Sequence, residues 1–107
     1  MRIIFDENVP LPLRAFFPGH AVTTVQLEGW AGGENGAIPR HVDGVFHGLV
    51  IADKNPRSQQ DLTAHRVALV ELPTNRWPVL QLLTAQIVSA VERAQPGSYT
   101  IIAELPA

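Results

Sequence analysis

Cysteine is absent from this chain of 107 residues, and its absence excludes several kinds of site. Disulfide frameworks, thiolate zinc sites, iron–sulfur clusters and thiol nucleophiles all depend on cysteine. Charge is also sparse, since ten acidic and eight basic residues leave a formal net charge of −2. A general coat protein for nucleic acid needs more positive charge, because its affinity comes from neutralising many phosphates. The composition therefore favours a small domain with, at most, a local basic patch.

Long apolar runs are lacking as well. No stretch reaches the ~18 apolar residues that cross a bilayer. The first residues of the sequence do not show the charged start, apolar stretch and cleavage site of a signal peptide. The length suits one domain that buries a core without cross-links. We therefore predict a single cytoplasmic domain over residues 1–107 that does not associate with a membrane.

Arginine dominates the few basic residues. The chain has seven arginines and one lysine, Lys54. The planar guanidinium group binds phosphate or carboxylate oxygens through two parallel hydrogen bonds. Local recognition of an anion therefore stays open despite the negative net charge.

Apolar and β-branched segments alternate with helical patterns along the chain. Strands are predicted near residues 2–5, 21–25, 48–52, 66–71 and 98–104. Helical periodicity is clearest over residues 77–94 and weaker over residues 9–17, 37–46 and 59–65. Such alternation predicts right-handed crossovers and a mostly parallel sheet between layers of helices. The expected fold class is α/β, a three-layer sandwich with a five-stranded sheet.

Acidic residues follow two of these predicted strands. Ligand sites of open parallel sheets lie beyond the carboxyl ends of the strands, so Asp6 and Asp53 are expected to lie together. Either aspartate alone could cap a following helix, but the pair favours a site for Mg²⁺, which prefers carboxylate oxygens. Such an ion activates water and stabilises charge that develops on a phosphate. The polar residues expected beside it, as substrate ligands, are Asn8, Asn55, Asn75 and Arg76.

Four segments, taken in their order along the sequence, resemble the motifs of a known family. The resemblance covers nearly the whole chain. The segments are residues 1–10 (MRIIFDENVP), 28–36 (EGWAGGENG), 52–60 (ADKNPRSQQ) and 72–78 (LPTNRWP). Together they resemble the small stand-alone PIN-like proteins, which are relatives of the PIN-domain ribonucleases. The resemblance implies a PIN-like fold and RNA cleavage that depends on Mg²⁺ or Mn²⁺. It also implies a toxin of a bacterial toxin–antitoxin pair, with an antitoxin protein as partner, and homodimers, which are common among PIN domains.

The resemblance assigns roles to individual residues. Asp6 matches the first metal-binding acid of PIN domains, and Asp53 matches the third. Asn55 stands where a fourth acid is often found. The second acid is expected where this chain has Ala37, and Ile51 replaces a threonine that often precedes the third acid. With these departures, we expect Mg²⁺ or Mn²⁺ to bind weakly.

Two alternatives remain open at this point. One is a catalytically impaired PIN-like module that binds RNA or a protein partner, which the alanine at position 37 favours. The other is a phosphoacceptor receiver domain, because Asp6, Asp53 and Thr74 follow strands in the order that such domains use. A receiver also needs a lysine near its last strand, and none follows Lys54.

Tryptophan and histidine give weaker signals. Trp30 and Trp77 could stack on bases, but in a small domain we interpret them as packing residues. The four histidines show no spacing typical of metal ligands, and we interpret them as surface or turn residues.

Overall fold

The computed structural model describes residues 1–6, 8–24, 27, 45–52 and 66–102. These residues form a five-stranded sheet in which every neighbouring pair of strands is parallel. The strands are β1 (Arg2–Phe5), β2 (Ala21–Thr24), β3 (Gly48–Ile51), β4 (Ala68–Glu71) and β5 (Tyr99–Ile101). The helical elements are a 3₁₀ helix (Leu11–Phe16), α1 (Trp77–Leu80) and α2 (Thr84–Arg93). The predicted α/β class and all five predicted strands are confirmed.

The strand order is β2-β1-β3-β4-β5. The chain therefore leaves β1 toward one side of the sheet and returns to β3 on the other side. In register, Phe5 of β1 lies beside Val50 of β3, and Ile51 of β3 lies beside Glu71 of β4. A reversal of this kind opens a crevice at the carboxyl ends of the two strands that flank it. That position lies between β1 and β3, the second and third strands in this order.

One face of the sheet, here called the helical face, is covered by all three helical elements. Side chains alternate along a strand, so Ile3 and Phe5 point to this face while Ile4 points away. Leu13 of the 3₁₀ helix and Ile87 of α2 are fully buried against it. The helices therefore share one apolar core with the sheet.

The opposite face is buried as well. Its core contains Ile4, Leu49, Ile51 and Leu69, with Phe46, Val67 and Tyr99 packed among them. The helix predicted over residues 59–65 lies outside the described residues. The helix predicted over residues 37–46 does so too, except that its last two residues form a turn and an isolated bridge. The second helical layer of the expected sandwich thus remains a prediction.

The helix predicted over residues 77–94 is interrupted, and the prediction of one continuous helix is wrong there. It ends at Leu80 and resumes at Thr84. Between them, the N–H groups of Leu82 and Leu83 donate to the carbonyl three residues earlier, at 3.1 and 2.9 Å. Such a turn places residues i and i+3 on the same side. Leu80 and Leu83 are consequently both buried, and Leu82 is exposed.

Proline sets the other departure from the predicted helices. The segment predicted as a helix over residues 9–17 is a 3₁₀ helix that begins after Pro10 and has a second proline, Pro12, in its first turn. Proline fixes the backbone and removes a donor, so it belongs at such a start.

In the described part of the chain, no helix has the length and apolarity needed to cross a membrane.

Candidate functional site

Asp6 directly follows β1, an interior strand of the sheet. Its N–H donates to the carbonyl of Val50 at 2.9 Å, which extends the ladder between β1 and β3 by one bond. Its carbonyl accepts the N–H of Val9 at 3.0 Å. The N-cap of the following 3₁₀ helix is Pro10, and no side chain caps that helix. The alternative in which Asp6 is the N-cap of the next helix is therefore wrong, and this half-buried residue lies at the carboxyl edge of the sheet.

Asp53 and Asn55 lie outside the described residues, as does Ala37. The described part of this segment ends at Ala52, which follows β3 and packs against the core of the helical face. Asp53 is the next residue in the sequence. The structure thus describes the strand that leads to Asp53 and places that strand beside β1.

The other predicted substrate ligands lie at the same edge. Asn8 is exposed in the turn after β1, and Asn75 and Arg76 are exposed in the segment between β4 and α1. The N–H of Arg76 donates to Oγ1 of Thr74 at 3.2 Å, which fixes the start of α1. Because β1, β3 and β4 are consecutive in the sheet, their carboxyl ends carry these residues along one edge.

Trp77 is a packing residue, as predicted. It is half-buried, belongs to the core of the helical face, and its ring centroid lies 5.9 Å from that of Phe16. Trp30 lies outside the described residues.

Glu71 is a residue that the sequence interpretation missed. It is the last residue of β4 and only 3% exposed, on the opposite face of the sheet. The hydroxyl of Tyr99 on β5 donates to its Oε1. A buried carboxylate costs several kcal/mol unless hydrogen bonds compensate, and the hydroxyl of Tyr99 supplies one such bond. The available signal was one acid within the apolar run of residues 67–72.

Two histidines make specific contacts at the other, amino edge of the sheet. The N–H of Arg2 donates to Nδ1 of His47 at 3.0 Å. His20 lies between the Met1 amino group, 3.2 Å from Nδ1, and a carboxylate oxygen of Glu92, 2.8 Å from Nε2. An ammonium group can only donate, so Nδ1 of His20 accepts and its Nε2–H donates to Glu92. As predicted, His20 is a turn residue, and from the turn before β2 it joins the start of the sheet to α2.

Among the described residues, no group of three or more histidine, aspartate or glutamate side chains is arranged to hold a metal ion. Asp6 nevertheless offers, at the carboxyl end of β1, the carboxylate oxygens that a hard cation prefers.

Comparison with known proteins gives no relative: no family model, no curated protein and no solved structure matches this chain. Function must therefore be inferred from the site itself.

Proposed function

We propose that this protein is a metal-dependent ribonuclease of the PIN-like type, with its site at the carboxyl edge of the sheet. The observation that carries the proposal is the position of Asp6. It follows β1, an interior strand next to β3, at the point where the strand order reverses. In the sequence, Asp53 comes directly after the end of β3. Two carboxylates on adjacent strand ends are an oxygen donor set for Mg²⁺ or Mn²⁺.

Each residue of the site has a chemical task in this proposal. Asp6 and Asp53 would hold the cation. A bound cation of this kind lowers the pKa of a coordinated water and stabilises the charge that develops on a phosphodiester. The exposed guanidinium of Arg76 donates two parallel hydrogen bonds to non-bridging phosphate oxygens. The amides of Asn8, Asn55 and Asn75 supply hydrogen bonds to RNA.

A second candidate function is a PIN-like module that binds RNA or a protein partner without cleavage. Ala37 favours it, because this residue stands where the resemblance places the second metal-binding acid. The partner would be an antitoxin protein or a second copy of the chain. The strand order also suits the receiver alternative, but no lysine follows Lys54, so a phosphoryl group would lack its usual cation.

The deciding experiment is cleavage of single-stranded RNA in Mn²⁺ by the parent, Asp6→Asn and Asp53→Asn. We expect both variants to lose at least ~100-fold in rate, because weakening the hydrogen bonds behind a metal ligand already costs roughly 10- to 100-fold. Glu92→Gln makes the same chemical change at the amino edge and should cleave like the parent. RNA binding without cleavage by the parent would favour the binding module.

Thermal stability provides a second readout in the same experiment. A ligand that binds only the folded state stabilises it by mass action. Mn²⁺ should therefore raise the Tm of the parent and raise that of Asp53→Asn much less. Without metal, the Asn variant should be as stable as the parent or slightly more so, because like charges repel. Two results together would overturn the nuclease proposal: a lower Tm for metal-free Asp53→Asn than for the parent, and no change in the Tm of either protein when metal is added. They would show that Asp53 has a structural role.

A further inference from the structure

Each of three adjacent parallel strands has a basic residue at or just before its start. Arg2 opens β1, His47 immediately precedes β3, and Arg66 comes two residues before β4. The register pairs Ile3 with Gly48, so Arg2 and His47 lie at the same level. Adjacent strands are ~4.8 Å apart, so the three residues are spread over roughly 10 Å. All three are exposed and form a row along the amino edge of the sheet.

Backbone contacts fix the members of this row. The N–H of His47 donates to the carbonyl of Arg2 at 2.8 Å, and the N–H of Gly97 donates to the carbonyl of Arg66, also at 2.8 Å. The guanidinium of Arg2 lies 5.4 Å from the centre of the Phe46 ring, a cation–π contact that holds it at the edge. The row is therefore built into the sheet.

The groups that this row presents are donors. Nδ1 of His47 accepts the N–H of Arg2, so the neutral ring carries its hydrogen on Nε2. Arginine has donors only. A fourth basic residue, Arg93, is exposed where α2 ends, next to Glu92, whose contact with His20 brings this end of α2 to the amino edge. The matching ligand is one that has acceptors only and repeats its negative charge at short intervals.

We propose that this amino-edge surface, made of Arg2, His47, Arg66 and Arg93, binds the phosphate backbone of single-stranded RNA. Phosphate oxygens accept hydrogen bonds, and arginine binds them through two parallel bonds. The surface lies at the end of the strands opposite to Asp6, so it holds RNA outside the cleavage site. The choice of RNA over another polyanion rests on the proposed function. The surface itself serves a ribonuclease and a binding module equally.

The test is binding of a short fluorescein-labelled oligouridylate in EDTA, where no cleavage occurs, at ~50 and ~200 mM salt. The parent should bind more weakly at the higher salt. Arg2→Gln combined with Arg66→Gln should weaken binding at the lower salt by at least ~tenfold. It should also reduce the slope of log affinity against log salt by ~1.4, since each phosphate contact on a single strand contributes ~0.7.

Controls separate this surface from general charge and from the cleavage site. Arg14→Gln removes one positive charge from the exposed side of the 3₁₀ helix, as Arg93→Gln does at the amino edge, and should leave the slope unchanged. Because binding is measured in EDTA, it does not depend on a cation at Asp6 and Asp53, so the two proposals fail separately. If the double variant does not fold, Arg93→Gln alone should lower the slope by ~0.7.

Three results would overturn the proposal. One is an unchanged affinity and slope in folded amino-edge variants. Another is an equal loss of RNA affinity in Arg14→Gln, which would show that binding depends on net charge and not on the amino-edge surface. The last is a parent that fails to bind oligouridylate but binds a fluorescein-labelled polyglutamate peptide through the same arginines. In that case the surface recognises an acidic protein segment.

Discussion

The helical face of the sheet and the opposite face are both buried, but different kinds of side chain fill them. Apolar side chains form the core of the helical face, from Ile3 and Phe5 in β1 to Ile87 and Val91 in α2. A buried polar residue on this side, Thr24, is uncharged and accepts the N–H of Leu27. The opposite face combines an apolar core with Glu71, a carboxylate that accepts a hydrogen bond from Tyr99. Apolar burial stabilises a fold in proportion to area, whereas a buried charge must be compensated. Burial on the helical face should therefore raise the free energy of unfolding, whereas burial of Glu71 on the opposite face should lower it.

The largest effect is expected from a cavity on the helical face. Ile87 is fully buried between α2 and the sheet, so Ile87→Ala should lower the free energy of unfolding by ~2–5 kcal/mol. Urea denaturation measures this loss. Leu82→Ala, at a side chain that is 71% exposed, is the matched control and should change stability by less than ~0.5 kcal/mol. Equal effects would show that α2 does not support the sheet.

An intermediate effect is expected from the polar pair of the opposite face. Tyr99→Phe removes the hydroxyl that donates to Glu71 and leaves a buried acceptor, which should cost ~1–3 kcal/mol. Adding Glu71→Leu to Tyr99→Phe should recover much of the loss, because apolar replacement of both partners is often close to neutral. A double-mutant cycle in urea measures the coupling. Additive losses would mean that the two side chains do not depend on each other.

The smallest effect should come from the rim of the opposite face. Arg2→Met keeps a long side chain but removes the charge above the Phe46 ring, which should cost ~0.5–1 kcal/mol. A shift in Tm reports it. Arg93→Met, which removes an exposed charge at the end of α2, serves as the comparison. If both variants melt together with the parent, the cation–π contact contributes nothing to stability, although the arginine could still bind RNA.

The strands could be predicted because their signal is local. Each apolar run is bounded by polar or turn residues, as Asp6 bounds β1, and every observed strand lies inside its predicted range. The placement of Asp6 at the carboxyl edge followed from the same pattern. Asp53 remains a prediction, since the described residues end one position before it.

The remaining features depend on contacts between residues far apart in the sequence. No proline or glycine lies at the break after Leu80, so the sequence does not predict it. The break occurs where Leu80 and Leu83 both pack inward. Glu71 looks like the polar end of a strand until Tyr99, 28 residues later, is placed beside it. The strand order and the row of basic residues at the amino edge likewise appear only when the sheet is assembled.

The wholly parallel sheet also has a consequence for how the chain folds. Parallel neighbours cannot be joined by a tight turn, so every ladder closes a long loop. Arg2 and His47, which meet at the start of β1 and β3, are 45 residues apart. The entropy of closing such loops is lost before the contacts form, so folding should be slower than for a helical bundle of this length. During synthesis, β1 can pair with β2 but lacks its second neighbour until β3 has emerged.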